Sequence, residues 1–489
     1  MYHIEDSLHE ECGVFGIRSN SSDVVNSVYT GLYALQHRGQ ESCGIAINDD
    51  GIITGHKGVG LVSEVFTKDI IEKLPRGNMA IGHCRYSTAG GLSVANAQPL
   101  VIRHIKGTMA IAHNGNLTNA TALKEELELT GAIFHTTSDT EVISYTIIRE
   151  RLSSSSIEEA ISRAMTKIQG AYSLVIMSPK KLIAVRDPLG FRPLCIGKAG
   201  KDYVIASESC ALDSVGAAFV RDVKPGEIVV IDEEGMRSIE DNCKPGKKSA
   251  CVFEFIYFAR PDSVIDGSCV HTARLRAGAF LALEHPVQAD VVIGVPDSGI
   301  DAALGYSKQS GIPYDVGFIK NKYIGRTFIE PFQPQRENTL RIKLNPISST
   351  VRGKRVILID DSIVRGTTSK RIVRLLRDAG AKEVHMRVSS PPFLYPCYFG
   401  TDIKSREHLI AVNHTVEEIA EIIGVDSLGF LGVENVTKLA DNPSLEFCTS
   451  CFTGRYPIEV PETVPQEKFQ TKIGEIADLV QDPICMEDK

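Results

Sequence analysis

Hydrophobic residues in the first half of the chain fall into short runs, and Gly, Asp, Asn or Pro separates one run from the next. Brief, often alternating runs of this kind are typical of half-buried β-strands. Two longer stretches, Asp23–Gln36 and Thr140–Arg151, carry apolar residues at helical spacing, with Ser138 or Asp139 as a candidate cap for the second. Many antiparallel strands with segregated helices predict an α+β layered domain. The predicted strands are ECGVFGI, GIAIND, NMAIGHC, TMAIAHN, AYSLVIM, KLIAVRD, YVIASES and EIVVIDEEG.

The pattern of hydrophobic and polar residues changes after Asp241–Ser249, a polar stretch rich in turn residues. From about residue 270, helical and strand patterns alternate, which predicts an α/β domain with a mostly parallel sheet. The order is helix VHTARLRAGAFLALEH, strand DVVIGVP, helix IDAALGYSKQSG, strand RVILID, helix TSKRIVRLLRDAGA, strand EVHMRVS and helix TVEEIAEIIG. We therefore predict a first domain over residues 12–245, a second over 246–457, and an acidic tail over 458–489 with one weak helical pattern, KIGEIADLV.

Composition narrows the class of protein. A chain of 489 residues is long enough for two large domains, and its 53 basic against 61 acidic residues give a net charge of −8. This mild acidity argues against a protein that coats nucleic acid, and no apolar run approaches a membrane span. The N-terminus lacks the basic and apolar regions of a secretory signal, so we predict a cytoplasmic protein. Its 12 cysteines are then mostly reduced, and a cysteine cluster indicates metal binding or catalysis.

The predicted strand RVILID ends in two adjacent carboxylates, Asp360 and Asp361, and a loop of small and hydroxylated residues then opens a helix. Ligands of open α/β sheets bind at the carboxyl ends of the strands. Backbone N–H groups of residues 365–368 are suited to hold a phosphate at the helix N-terminus. Two carboxylates would repel that phosphate, but they suit ribose hydroxyls and a Mg²⁺-bound diphosphate. The alternative is an acidic loop that only caps the next helix.

This stretch resembles the phosphoribosyl diphosphate (PRPP) loop of the type I phosphoribosyltransferases. The resemblance implies that Asp360 and Asp361 engage the ribose and Mg²⁺, and that the following loop binds the 5-phosphate. Arg365 stands where many members of that family carry a small or hydroxylated residue. The implied PRPP-binding loop consists of Ser362, Arg365, Gly366, Thr367, Thr368 and Ser369.

Two further segments extend this resemblance. Val295–Ile300 (VPDSGI) resembles the diphosphate loop of the family, which makes Ser298 a candidate contact for Mg²⁺ or diphosphate. An ordinary strand-to-helix turn is the alternative. The basic segment Lys320–Arg336 resembles the mobile loop that closes over PRPP, with Arg326 as a cationic partner, although a solvated loop would have the same composition. Lys343 is a further candidate partner of the diphosphate.

Cys12 stands directly before a Gly-rich strand, and the motifs QHRGQES, HCRYST, AHNGNL and TSDTE follow it in that order. Each motif alone is weak, and a single cysteine in such a place is most often structural. Together they resemble the glutamine amidotransferases whose nucleophile is an N-terminal cysteine, the Ntn-hydrolase class, over most of residues 12–240. That class implies a layered α+β domain with antiparallel sheets between helices.

An N-terminal cysteine can use its own α-amino group as the base. A free α-amine has a pKa of roughly 7.7–8.0, so it is partly neutral at pH 7 and can relay the thiol proton to departing ammonia. An internal Cys12 would have an amide nitrogen, which is not a base. We therefore predict that residues 1–11 are a propeptide that must be removed, as the resemblance also implies.

The resemblance assigns roles to three polar residues and one glycine. Attack on the glutamine carboxamide creates an oxyanion, for which the Asn114 side-chain amide and the Gly115 backbone N–H are the implied donors. Arg85 is implied to bind the α-carboxylate of glutamine, and Asp139 its α-ammonium. The alternatives are a surface charge for Arg85 and a helix cap for Asp139.

Five neighbouring residues complete the predicted pocket. Arg38 and Gly39 are predicted to shape the nucleophile pocket and to contact glutamine. Three histidines are predicted to pack or orient other groups rather than act as bases, namely His37, His83 and His113.

Cys448 and Cys451 form a CxxC motif, which alone is ambiguous between zinc, a redox pair and coincidence. Cys251 and Cys397 lie far away in sequence, and the spacing of the four fits neither zinc-finger nor ferredoxin patterns. A collection of four distant thiolates by the fold remains geometrically possible.

Both halves together resemble the glutamine–PRPP amidotransferase family over about residues 12–455. The resemblance implies that glutamine, PRPP and water give 5-phosphoribosylamine, glutamate and diphosphate, the first step of purine synthesis. A closed passage for ammonia has a physical reason, because ammonia released into water at pH 7 becomes mostly ammonium, which is not a nucleophile. The family further implies Mg²⁺, purine nucleotides as feedback inhibitors, and a homo-oligomer, specifically a tetramer.

A subgroup of this family combines a propeptide with a [4Fe–4S] cluster. The resemblance to that subgroup implies that Cys251, Cys397, Cys448 and Cys451 hold such a cluster, with a structural role. Four unligated or zinc-binding thiols are the alternative.

Three other functions compete with this interpretation. An amidotransferase that feeds another acceptor, such as a sugar phosphate or aspartate, would lack the PRPP loop. A PRPP-sensing regulator would need no Cys12 amine and would carry a DNA-binding element. An iron–sulfur redox protein would carry a motif for a partner cofactor.

Overall fold

The computed structural model describes residues 12–20, 23–86, 93–246, 248–321, 344–401, 403 and 406–461. The first half contains two antiparallel sheets that face each other, with apolar side chains such as Val14, Ile81, Val175 and Val229 packed between them. In spatial order the seven-stranded sheet consists of Ala218–Asp222, Cys195–Ala199, Asp202–Ala206, Gly13–Arg18, Met79–Arg85, Ser42–Asp49 and Ile52–Val59. The six-stranded sheet consists of Gly235–Ile239, Ile228–Asp232, Leu182–Arg186, Gly170–Met177, Gly107–Leu117 and Leu100–His104.

Helices cover the outer faces of both sheets. Leu32 of the first helix packs against Phe15 of the seven-stranded sheet, and Ile143 and Ile161 pack against Leu174 of the six-stranded sheet. The result is a layered α+β domain with its two sheets between helices, as predicted. The helices of this half are Val25–Ala34, Val62–Val65, Lys68–Lys73, Ala120–Leu129, Asp139–Ser153, Ile157–Met165 and Ser209–Ser214, with a 3₁₀ turn at Val94–Asn96.

The two helical blocks predicted from the sequence are present as Val25–Ala34 and Asp139–Ser153. Ser138 caps the second, because its Oγ accepts a hydrogen bond from the Thr140 N–H at 3.3 Å. The prediction was incomplete elsewhere. It missed the remaining helices of this half, and it missed five strands that lie at or near sheet edges, where exposed residues break the apolar alternation: Ile52–Val59, Leu100–His104, Cys195–Ala199, Ala218–Asp222 and Gly235–Ile239.

The second half is built on a four-stranded parallel sheet with apolar clusters on both faces. The alternation predicted from the sequence is confirmed for all seven of its segments, and a fourth strand, Ser427–Phe430, was not predicted. The strands in spatial order are Val291–Gly294, Arg355–Asp360, Glu383–Val388 and Ser427–Phe430. The helices are Val270–Glu284, Gly299–Ser310, Ser348–Val351, Thr367–Asp378, Ile410–Asn413, Val416–Ile423, Val433–Val436 and Ser450–Thr453, with a π-helical turn at Glu254–Phe258 and a 3₁₀ turn at Arg406–His408.

Three short strand pairs complete the second half. They are Ala250–Cys251 with Phe447–Cys448, Val264–Ile265 with Ser268–Cys269, and Phe318–Lys320 with Leu344–Pro346. Residues 1–11 and the tail pattern KIGEIADLV lie outside the described residues. Among the described helices, none is both long enough and apolar enough to cross a membrane.

Candidate active sites

Cys12 lies at the start of the Gly13–Arg18 strand and is 8% exposed. Its Sγ donates a hydrogen bond to the carbonyl of Tyr86 at 3.4 Å, and its own carbonyl accepts one from Arg38 Nε at 3.0 Å. Strand pairing begins at the next residue, because Gly13 lies opposite Cys84. The thiol is therefore held at the end of a strand, near the surface of a rigid sheet.

Asn114 has no hydrogen-bond partner on either side-chain polar atom among the described residues, although it is completely buried. A buried amide left unpaired costs about 1–3 kcal/mol, and a bound ligand is one way to offset that cost. The strand that carries it, Gly107–Leu117, contacts the Gly13–Arg18 strand of the facing sheet. Gly115 follows with φ +141°, and a Cβ there would lie 2.1 Å from the Ala171 carbonyl oxygen. Among the described residues, the Asn114 side-chain amide is thus a buried donor that remains available to a ligand.

Arg85 and Asp139 both lie close to the Gly107–Leu117 strand. Arg85 is the last residue of the Met79–Arg85 strand and is 4% exposed. Asp139 Oδ2 accepts a hydrogen bond from the Leu117 N–H at 2.9 Å, and its Oδ1 lies 3.4 Å from His113 Nδ1. Burial by itself raises the pKa of Asp139, but His113 and the backbone N–H groups more than offset that effect and lower it. Asp139 is thus a carboxylate anchored beside the Asn114 strand.

The three histidines of the predicted pocket contact other protein groups. Burial lowers the pKa of His83 to about 3, so its ring is neutral at physiological pH, and Nε2 lies 2.9 Å from the His113 carbonyl oxygen. His37 Nε2 lies 2.8 Å from Glu208, and His113 Nδ1 lies 3.2 Å from Thr140 Oγ1. These contacts support orienting roles rather than a role as base.

Arg38 is completely buried, and its guanidinium contacts protein atoms on both edges. This burial favours a role in anchoring Cys12 over the predicted direct contact with glutamine. Gly39 allows a close approach of chains, because a Cβ there would lie 2.6 Å from the Cys84 carbonyl carbon. A side chain at position 39 would therefore collide with the backbone of Cys84 and Arg85.

Asp360 and Asp361 lie at the carboxyl end of the Arg355–Asp360 strand, and both are buried. Burial raises the pKa of both carboxyls, and the neighbouring Asp361 charge raises that of Asp360 further. Ser298 Oγ and Ser362 Oγ donate short hydrogen bonds to the two oxygens of Asp361. The structure thus brings the VPDSGI loop and the carboxylate pair together at one sheet edge.

The loop after the carboxylates turns into the Thr367–Asp378 helix through Gly366, which has φ +86°. Thr367 is exposed, Arg365 and Thr368 are half-buried, and Ser369 is buried. Two predicted partners of PRPP, Arg326 and Lys343, lie outside the described residues, as does the segment 322–343, which covers nearly all of the predicted closing loop.

The four cysteines predicted as a set line one small cavity of about 20 Å³. Cys251 and Cys448 lie opposite each other in a parallel strand pair, and the Cys451 carbonyl accepts hydrogen bonds from the N–H groups of residues 394 and 395. The fold therefore collects thiols that the sequence separates widely. Within the described ranges, no three His, Cys, Asp or Glu side chains form a ready ligand set for a metal ion. The other residues around the cavity are mostly aromatic or aliphatic, among them Phe191, Val252, Phe253, Phe393 and Phe399.

Sequence reasoning missed a group of buried charged residues between the two sites. Glu208 and Glu254 contact Arg38, and Arg192 also contacts Glu254. The available signal was a lone carboxylate inside an otherwise apolar run, as in CVFEFIYF. No local motif could have paired these residues, because the partners lie up to 216 residues apart.

Two family models match the chain, and they define its class. The model described as "Glutamine amidotransferase domain" matches residues 83–214, and the one described as "Phosphoribosyl transferase domain" matches residues 271–390. The chain is thus a glutamine amidotransferase joined to a phosphoribosyltransferase, the class that the two candidate sites also support.

Full-length relatives identify the family. The amidophosphoribosyltransferase of Bacillus subtilis is 50% identical over 458 residues, covering 93% of this chain and 95% of the relative. That of Methanocaldococcus jannaschii is 49% identical over 464 residues, covering 92% and 98%. A solved structure of the B. subtilis glutamine PRPP amidotransferase, complexed with ADP and GMP, matches with a TM-score of 0.85 and 49% identity, covering 93% of this chain and 99% of that one. The chain belongs to the amidophosphoribosyltransferase family, an assignment consistent with the first step of purine synthesis.

Proposed function

We propose that Cys12, once residues 1–11 have been removed, attacks the carboxamide of glutamine. The Asn114 amide carries this proposal, because it is a buried donor without a partner among the described residues and so suits the oxyanion that forms during the attack. The Gly115 N–H is the second donor. Arg85 binds the α-carboxylate of glutamine and Asp139 binds its α-ammonium, with Gly39 keeping the pocket open.

The freed α-amine of Cys12 takes the thiol proton and returns a proton to the departing ammonia. Ammonia then moves through a closed passage to the second site, where it attacks C1 of PRPP. Exclusion of water keeps ammonia unprotonated on the way. Water hydrolyses the γ-glutamyl thioester left on Cys12, which releases glutamate and restores the thiol. The overall products are therefore glutamate, 5-phosphoribosylamine and diphosphate.

In the second half, Asp360 and Asp361 hold the ribose, and the loop from Ser362 to Ser369 holds the 5-phosphate. Mg²⁺ fits the chemistry of the donors here, since two buried carboxylates with raised pKa values repel each other and a cation offsets that repulsion. Asp360, Asp361 and Ser298 would hold the ion, which supplies charge neutralisation of the leaving diphosphate. Arg326 and Lys343 are proposed as further cationic partners of PRPP.

The thiol-lined cavity supports a [4Fe–4S] cluster on Cys251, Cys397, Cys448 and Cys451. All four donors are thiols, and burial raises the pKa of Cys251, Cys448 and Cys451, so thiolates there need a cationic partner. Cys251, Cys397, Cys448 and Cys451, which line this cavity, would hold the cluster, and the cluster would supply that positive charge. The cluster would tie the C-terminal segment to the rest of the second domain.

The wider proposal follows the family. It includes the domain limits 12–245 and 246–457, a propeptide at 1–11, a tail at 458–489, and a cytoplasmic homo-oligomer, specifically a tetramer. Purine nucleotides are proposed as feedback inhibitors. The ADP and GMP bound to the B. subtilis relative support that role.

Intact-mass measurement of the active enzyme, purified without oxygen, tests the proposal most directly. We expect a chain that begins at Cys12 and about four irons per chain. In Cys448→Ser the iron should be lost, whereas Cys243→Ser should keep it. An active enzyme that retains residues 1–11 would contradict the nucleophile, and an iron-free active enzyme would contradict the cluster.

A further inference from the structure

A buried charge network joins the Cys12 region to the chain beyond residue 250. Arg38 lies 2.6 Å from Glu208 through one terminal nitrogen, and both terminal nitrogens reach Glu254, at 2.9 and 2.8 Å. The side chains of all three residues are at most 2% exposed. A guanidinium is planar and holds a carboxylate with two parallel hydrogen bonds, so this contact fixes orientation as well as distance.

The remaining donor of Arg38, Nε, binds the carbonyl oxygen of Cys12 at 3.0 Å. Once the proposed propeptide, residues 1–11, is removed, Cys12 has no preceding peptide bond to restrain its amine and side chain. The regular strand pairing starts only at Gly13. The Arg38 contact therefore restrains the carbonyl group of Cys12. Through it, the contact also restrains the Cα atom to which the side chain and the amine are attached.

Glu254 is itself held from the second half of the molecule. It lies in the π-helical turn Glu254–Phe258, a rare geometry that is frequent at functional sites. Arg274, in the Val270–Glu284 helix, donates to three carbonyls in and just after this turn, those of Phe255, Tyr257 and Ala259. Arg192 adds a contact of 3.3 Å to Glu254 and binds the Phe399 carbonyl.

We propose that Glu254, from the phosphoribosyltransferase half, is a positioning residue for the glutamine reaction, because it orients Arg38 and through it Cys12. Glu254 touches neither the thiol nor the amine, so its effect is on placement. This inference rests on the proposed role of Cys12. It means that a residue of the other half helps to hold the nucleophile of the amidotransferase half in position.

Glu254→Gln tests the inference, with Asp266→Asn as the matched control. Asp266 forms a different, partly buried ion pair between the two halves, with its carboxylate oxygens 2.7 and 2.8 Å from Arg186 rather than next to Arg38. In Glu254→Gln we expect glutaminase kcat and the rate of Cys12 alkylation by iodoacetamide to fall by about 10- to 100-fold, with little change in KM for glutamine. Ammonia-dependent synthesis should persist, and Asp266→Asn should leave Cys12 alkylation within about 2-fold of wild type.

Glu254→Asp keeps the charge and shortens the side chain by one methylene, so it provides the same test with less disturbance of folding. An intermediate loss of kcat is expected. Equal losses in Glu254→Gln and Asp266→Asn, unchanged glutaminase in Glu254→Asp, or a rise in KM without a fall in kcat would each overturn the inference. Failure of the Cys12 proposal itself looks different, because Cys12→Ala would then hydrolyse glutamine as well as wild type does.

Discussion

The two candidate sites of this chain differ in how complete they are in the folded protein. At the candidate glutamine site, Asn114 lies on a paired strand, Asp139 begins a helix and Cys12 directly precedes a strand, and the buried Asn114 amide has no hydrogen-bond partner among the described residues. At the PRPP site, two buried carboxylates repel each other. The first site is organised by the fold before its substrate arrives. In the second, burial disfavours the charged form of both carboxylates, so a cation bound there would offset that cost.

The largest expected effect isolates the first site. Cys12→Ala should lower glutamine-dependent synthesis by at least about 10³-fold, because no nucleophile remains, and should spare ammonia-dependent synthesis at high pH. Steady-state assays with glutamine and with ammonium chloride would measure both. Cys195→Ala, which removes a buried thiol elsewhere in the same sheet, is the control and should keep both activities. If Cys12→Ala also lost ammonia-dependent synthesis, the result would contradict the assignment of Cys12 to the glutamine site alone.

The converse change isolates the second site. Replacing both Asp360 and Asp361 with Asn should reduce PRPP turnover by about 10²- to 10³-fold with either nitrogen source, since the ligands of ribose and Mg²⁺ are lost. Some glutaminase activity should remain. Asp290→Asn, at the opposite end of this sheet, is a suitable control because its carboxylate pairs with Arg355 at the surface. A double variant that retains PRPP turnover would refute the proposed site.

A more discriminating test concerns Asn114. Asn114→Ala should lower glutaminase kcat by about 10²-fold through loss of an oxyanion donor. Because the amide makes no hydrogen bond among the described residues, its removal should not lower the thermal unfolding temperature by much. Asn48→Ala removes hydrogen bonds to Pro179 and Gly51, so it should show the opposite pattern, lower stability with near-normal kcat. A large loss of stability in Asn114→Ala would argue for a structural role.

The smallest expected effect is on stability and concerns the carboxylate pair. The pKa values of Asp360 and Asp361 are raised in the folded chain, so the folded state keeps protons that the unfolded state releases. Their contribution to stability is present below the unfolded pKa of about 4 and is lost as pH rises through the folded values. In Mg²⁺-free buffer, thermal unfolding should therefore show the wild type losing stability relative to the double Asn variant as pH rises. Saturating Mg²⁺ with PRPP should reverse the trend, and an unchanged difference between the proteins across pH would contradict the pKa argument.

Sequence reasoning succeeded where local pattern determines structure. The Arg355–Asp360 strand, its terminal carboxylates and the helix after Gly366 are all local features, as is the Ser138 cap. It failed where a strand lies at a sheet edge, as for Ile52–Val59, because solvent on one side permits polar and glycine residues. The Arg38–Glu254 contact could not be predicted, since only the folded chain pairs these residues.

The short parallel pair between residues 250–251 and 447–448 has a consequence for how the protein is made. Lys248 N–H also binds Glu446 next to this pair, 198 residues further along the chain. At a synthesis rate of about 5–20 residues per second, the second strand leaves the ribosome roughly 10–40 seconds after the first. The thiol cavity therefore closes late, and we expect ribosome-bound chains that end before residue 447 to be cut by protease around residue 250. Assembly of that cavity is a step near the end of biogenesis, after the amidotransferase sheets have had time to fold.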